Sequence, residues 1–196
     1  MFEGLFSLSS FISSFALLFA IMDPFASIPV FLSLTGKFSK ENKMNAANQA
    51  LIVATAVVAI FLFFGNTILQ LFSISLSDFK IAGGGVLLIL GAQLVFGWEK
   101  KEKPTKDYHV AATIIGVPLI TGPGVITSVI VLTATEGLFV TMLAAAASLF
   151  ANWIILRNSY RLLSFFGSNS IEILSKVMGL LLIVVAVGFI RAGFLQ

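Results

Sequence analysis

The chain has 196 residues, 58 % of them hydrophobic and only 11 % charged, with a formal net charge of +3. A water-soluble domain of this length covers itself with about 25 % charged residues, so the composition excludes one and makes lipid the expected solvent. The absence of Cys and the single His exclude disulfides, thiolate metal sites and multi-histidine centres.

The 20 Phe fit a lipid-facing surface. A hydrocarbon core of about 30 Å takes about 20 apolar residues in helical form, and six stretches meet that length. The first, 8–34, follows a segment whose only charge is Glu3. It has neither a basic start nor a small-residue cleavage pattern after it, so it is expected to be a retained span rather than a signal peptide. A charged connector from Lys37 to Lys43 leads to 46–72, and the nearly uncharged Ser73 to Ser77 leads to 79–97. The charged run Glu99 to Asp107 precedes 110–134, and the short Thr135 to Gly137 precedes 138–156. A last charged connector, Arg157 to Lys176, leads into 173–194. The expected fold is an all-α membrane protein of six transmembrane helices.

Ten of the twelve Lys and Arg fall on the odd connectors: Lys37, Lys40, Lys43, Lys100, Lys101, Lys103, Lys106, Arg157, Arg161 and Lys176. Only Lys80 and Arg191 fall on the other face. The positive-inside rule then puts those connectors in the cytoplasm and both termini outside, in the cell (inner) membrane. The same basic residues are topology signals, so no nucleic-acid partner is expected.

Divided at the charged central run, the chain gives 1–98 and 110–196, three spans each, joined by a cytoplasmic linker, 99–109, within one membrane domain. An odd number of spans makes the halves enter the membrane in opposite directions. An offset of 94 residues carries Pro24 and Pro29 onto Pro118 and Pro123, Asp78 onto Glu172, and Gly85 onto Gly179. Four of the five prolines lie in these two pairs. Inverted repeats whose first helices are interrupted in equivalent places point to a secondary transporter.

The first interruption reads Asp23-Pro24-Phe25-Ala26-Ser27-Ile28-Pro29 and the second Pro118-Leu119-Ile120-Thr121-Gly122-Pro123-Gly124. Proline removes an amide donor and clashes with the preceding turn, and glycine admits non-helical backbone. Both are expected to open the helix near the bilayer midplane and to face each other, since free backbone groups there need protein or water beside them. A restarted helix offers amides and a partial positive charge to a carboxylate, with Gly124, Val125 and Ile126 the expected amides and Thr121 an added hydroxyl. A kink that only shapes packing is the structural alternative. Asp23, the only ionisable residue expected inside a span, could bind an amine, carry a proton or help hold a cation. It could equally cap a helix that starts at Pro24. Asn48, Gln49, Asn66, Gln93, Thr127, Ser128 and Asn152 are expected to bond between helices, and Gly83-Gly84-Gly85 and Ala144 to Ser148 to allow close approach. His109 is expected at the membrane edge.

These residues resemble the MarC family, which includes the SnatA small neutral amino acid transporters. The matching pieces are Asp23-Pro24 through Pro29-Val30-Phe31, Lys80-Ile81-Ala82-Gly83-Gly84, Pro118-Leu119 with Thr121 to Gly124, and Val177-Met178-Gly179-Leu180. The resemblance implies two inverted three-span repeats, transport of glycine, alanine or similar amino acids, and a substrate site built from Asp23, Pro24, Ser27, Pro29, Thr121, Gly122, Pro123 and Gly124. Gly188 stands where many family members carry Gln, a departure that bears on substrate preference.

The expectation is therefore a transporter, exporter or exchanger, with no cofactor and with coupling to protons or sodium. A channel is the alternative, although the aquaporin-type Asn-Pro-Ala pair is missing. An intramembrane enzyme is not expected, because the spans hold one Asp and no partner acid or base.

Overall fold

The computed structural model describes residues 7–98, 109, 112–113 and 115–195, with the backbone path alone for 117–119. Glu3 and the central run Glu99 to Asp107, with its four lysines, lie outside the described residues. All regular structure among the described residues is helical.

The Ser7 hydroxyl accepts from the Ser10 amide and starts α1 (Leu8–Met22). α1 ends at Asp23, whose backbone is left-handed (φ 34°, ψ 73°), and α2 (Pro24–Thr35) begins at the next residue. Ser39 caps α3 (Lys40–Leu71) and Ser75 caps α4 (Leu76–Phe96), each by a side-chain oxygen that accepts an amide three residues on. Gly97 (φ 70°) ends α4 in the left-handed conformation that glycine adopts without strain. A π-helical segment, Ile115–Ile120, precedes α5 (Pro123–Thr135). α6 (Leu138–Arg157) and α7 (Ser159–Phe194) complete the chain.

Among the described residues, five segments are long and apolar enough to cross a membrane: Leu8–Thr35 (α1 with α2), α3, α4, α6 and α7. The fourth expected span is represented by the π segment and by α5, which at 13 residues is too short to cross alone. The last connector differs from expectation. Residues 159–166 are helical, and only Gly167 (φ 76°, ψ 161°) departs from helical backbone, so α7 is two helices joined at a kink rather than a loop and a span. The stretch Ser159 to Phe166 contains no Pro or Gly, and nothing in it stops a helix.

Small residues set the packing. The buried stripe of α3 runs Ala46, Ala50, Ala54, Val58, Leu62, Gly65 and Leu69, one residue per turn and smallest at one end. There the backbone of the π segment comes in close: a Cβ on Gly116 would lie 2.9 Å from the Ala50 carbonyl oxygen. At the other end Gly65 admits Ile130 of α5.

The most extensive helix contact is between α4 and α7. On α4, Ser77, Gly84 and Gly91 stand seven residues apart, and on α7 Gly179, Ala186 and Gly193 do the same. They meet in antiparallel register: Gly91 with Gly179, Gly84 with the Ala186 carbonyl, and the Ser77 carbonyl with Gly193. Added Cβ atoms at these glycines would lie 2.7–2.9 Å from facing backbone oxygens. Such small-residue seams let backbones approach where lipid supplies no hydrophobic drive for association. Large apolar side chains point outward instead, among them Phe63, Phe64, Leu71, Ile89 and Val184.

Candidate functional site

Asp23 does two structural jobs at the first interruption. Its amide donates to the Ala20 carbonyl (3.3 Å) to close α1, and its Oδ1 accepts from the Ala26 amide (3.2 Å) to open α2. The capping alternative is thus realised, with Pro24 in the first turn where its missing N–H does no harm. Ser27 donates both its amide (3.2 Å) and its hydroxyl (3.0 Å) to the Asp23 carbonyl. Asp23, Pro24 and Ser27 are all buried.

Pro29 behaves differently from expectation. It lies inside the continuous helix α2 and is exposed, so the backbone parts at Asp23 alone and not across both prolines. Pro29 still removes one ladder bond, a loss that membrane helices tolerate.

At the second interruption the π segment ends where the Thr121 amide (3.2 Å) and hydroxyl (2.8 Å) both donate to the Gly116 carbonyl. Gly122 is extended (φ −59°, ψ 171°) and has no side chain with which to cap α5. Its carbonyl instead accepts from the Val125 (2.9 Å) and Ile126 (3.2 Å) amides. Of the three amides expected to meet a carboxylate, only that of Gly124 is not drawn back onto Gly122. The Thr121 hydroxyl proton is likewise engaged within the chain. Thr121 and Gly124 are buried, Gly122 is half-buried and Pro123 is exposed.

The two interruptions are neighbours. A Cβ on Gly124 would lie 3.3 Å from Cγ2 of Ile21, two residues before Asp23, and 2.6 Å from Cδ2 of Leu87 on α4. α2 also packs against the π segment. α4 closes one side because Gly83 has no side chain, and a Cβ there would overlap the Thr127 side chain of α5. Within the glycine triplet, Gly83 thus faces α5 and Gly84 faces α7, while Gly85 has open space beside it.

α6 packs against α1 and α2. Asn152, fully buried, donates Nδ2 to the Ser148 carbonyl (2.9 Å) and lies 3.6 Å from Sδ of Met22, the residue before Asp23. Its Oδ1 has no hydrogen-bond partner among the described residues, and neither has the hydroxyl of fully buried Ser128, one turn past Gly124 on α5. An interhelical bond was the expectation for both. Asn152 makes one weak contact across helices and Ser128 none, whereas Asn48 does bond across helices, accepting from Trp153 Nε1 at 2.9 Å.

Asn152 thus belongs at this site, although nothing in its apolar surroundings in the sequence distinguishes it from a packing residue. Lys80, expected at the outer edge, is only 4 % exposed within α4, so Asp23 is not the sole buried ionisable group. Gly188 has open space where a side chain would project. His109 is exposed. No cluster of metal-ligating side chains occurs among the described residues.

The model of the MarC family of integral membrane proteins matches residues 8–196. A UPF0056 membrane protein of Methanocaldococcus jannaschii is 34 % identical over 95 % of this chain and 96 % of its own. One from Archaeoglobus fulgidus is 31 % identical over 96 % and 94 %, and one from Escherichia coli is 32 % identical over 98 % and 95 %. No solved structure matches. With five membrane-length apolar helical segments among its described residues and a family match over nearly its whole length, the chain belongs to the MarC family of integral membrane proteins.

Proposed function

We propose that the protein is a secondary transporter of small neutral amino acids such as glycine and alanine. It works by alternating access around the interruptions at Asp23 and at Thr121–Gly122. The two halves, 1–98 and 110–196, are inverted repeats in the inner membrane with both termini outside, and the interruptions are their equivalent points. The observation that carries this reading is the adjacency of the two interruptions, with Ile21 against Gly124. Non-helical backbone at membrane depth is tolerated beside protein or a polar cavity, and transporters bind solutes between such paired segments.

The chemistry of the lining supports a small zwitterion. Asp23 offers a carboxylate to an ammonium group, and the Gly124 amide at the start of α5 suits a carboxylate. The buried Ser128 hydroxyl and Asn152 Oδ1 each cost about 1–3 kcal/mol unless a polar group meets them, and a zwitterion brings such groups. Gly122, Ala26 and Ser27 are small residues at the interruptions, which suits a small side chain.

The test is counterflow in proteoliposomes loaded with unlabelled alanine or glycine, with proton and sodium gradients imposed in turn. Saturable accumulation of labelled amino acid is expected. Absence of uptake and exchange under every gradient would sink the assignment, and rapid, non-saturating flux would make the protein a channel.

A further inference from the structure

Away from the interruptions, a cavity of about 680 Å³ opens between the C-terminal part of α2, the start of α3 and the junction of α6 with α7. Lys40, Lys43, Arg157 and Arg161 line it, and among the described residues no acidic side chain does. None of the four cations is ion-paired among the described residues, whose one salt bridge joins Lys176 to Glu172. Arg157 rests instead 5.0 Å above the Trp153 ring.

One helix N-terminus adds to this charge. The first turn of α3 holds Lys40 and Lys43 but also Glu41, outside the cavity lining, and is capped by Ser39. α7 starts beside Arg161 with no acid in its first turn and no side-chain cap, since Asn158 Nδ2 donates back to the Ile154 carbonyl. Cations at the positive end of a helix dipole are unfavourable. Four cations around one cavity, with the uncapped start of α7 beside them, create a site whose missing component is an anion.

The floor of the cavity is apolar: Phe31 and Leu156 are 2 % and 1 % exposed. Beside it, the short helical stretch before the Gly167 kink carries Tyr160, Phe165 and Phe166, exposed by 74 %, 85 % and 54 %. Aromatic side chains next to basic ones at the ends of spanning helices mark the headgroup level of a bilayer, and basic pockets between such helices bind anionic headgroups. We propose that this cavity binds a phosphate-bearing anion, and specifically the phosphodiester headgroup of an anionic phospholipid.

Native mass spectrometry of the detergent-purified full chain tests this with phosphatidylglycerol, phosphatidylcholine and inorganic phosphate as separate probes. Phosphatidylglycerol should be retained and phosphatidylcholine should not. Each cation removed should weaken retention about fivefold, so the Lys43→Gln/Arg161→Gln double variant should lose at least about tenfold. Lys37→Gln, which removes a cation of the same connector that does not line the cavity, should retain lipid as the unaltered chain does. The charge-conserving Lys43→Arg/Arg161→Lys variant should bind as well, which keeps the test decisive if the Gln variant folds poorly. Equal retention by the Gln double variant, or an equal loss in Lys37→Gln, would overturn the site. Displacement of the lipid by millimolar inorganic phosphate alone would reassign it to a soluble anion.

Discussion

Asp23 joins structure and proposed chemistry in one residue, and the two can be separated by substitution. A left-handed backbone costs most L-residues about 1–2 kcal/mol, whereas Asp and Asn tolerate it through their short polar side chains. Asp and Asn are also nearly equal as N-caps, while Ala in that place costs about 0.5–2 kcal/mol. Asp23→Asn should therefore unfold within about 0.5 kcal/mol of the unaltered protein, and Asp23→Ala should be destabilised by about 1.5–4 kcal/mol from the two losses together. Thermal unfolding in detergent measures both. Under the proposed function, Asp23→Asn should nevertheless lose at least about tenfold in amino acid exchange, because it keeps the cap and removes the charge. A stable Asn variant with full exchange would reduce Asp23 to a cap.

The Asp-Pro pair made this residue legible from sequence, since both readings of it follow from local chemistry. Asn152 was not legible. Its importance comes from Met22, 130 positions away, and no local pattern reports such a contact. The amides of Val125 and Ile126 were misjudged for a related reason. Whether a first-turn amide remains open depends on how far the Gly122 carbonyl turns inward, and glycine in a sequence leaves that angle undetermined.

At the level of elements, the glycines of α4 divide by what faces them. Gly84 meets the Ala186 carbonyl at 2.8 Å from where its Cβ would stand, while Gly85 meets nothing within 4 Å. Adjacent substitutions should therefore act in opposite directions. Gly84→Ala should destabilise by about 1–3 kcal/mol through forced separation of α4 and α7. Gly85→Ala should be neutral or stabilising by up to about 1 kcal/mol through helix propensity. Melting temperatures of the two purified variants check this, and a loss in Gly85→Ala as large as that in Gly84→Ala would mean that the seam is misassigned. The sequence does carry this seam, because Ser77, Gly84 and Gly91 repeat at the same interval as Gly179, Ala186 and Gly193. A conspicuous triplet, Gly83 to Gly85, draws attention away from that wider spacing.

The helix boundaries show a similar limit. Hydropathy marks where lipid contact is favourable, not where a helix ends. It therefore missed the helical stretch Ser159 to Phe166, which with Arg157 and Arg161 resembles a connector, while the break between the π segment and α5 was legible from Pro118 to Gly124.

On the scale of the whole molecule, the sidedness expected from the basic connectors is open to a clean test, because the chain has no native Cys. Single cysteines at Lys37 and at Ser73 belong to opposite faces in the proposed topology. In intact cells, an impermeant maleimide should label Ser73→Cys and leave Lys37→Cys unlabelled until the membrane is opened. The reverse pattern would invert the protein, and with it the side from which the basic cavity is reached.

The adjacency of the two interruptions is the feature on which the transport reading rests, and substrate binding beside them can be measured directly. Ser27 is fully buried beside Asp23, and Ser27→Cys is nearly isosteric. In proteoliposomes, a small permeant thiol reagent should modify this cysteine. Glycine or alanine should slow the modification in a saturable way, with half-protection at the concentration that half-saturates exchange. Modification at the same rate with and without amino acid, in a variant that still exchanges it, would place the substrate elsewhere and contradict the account.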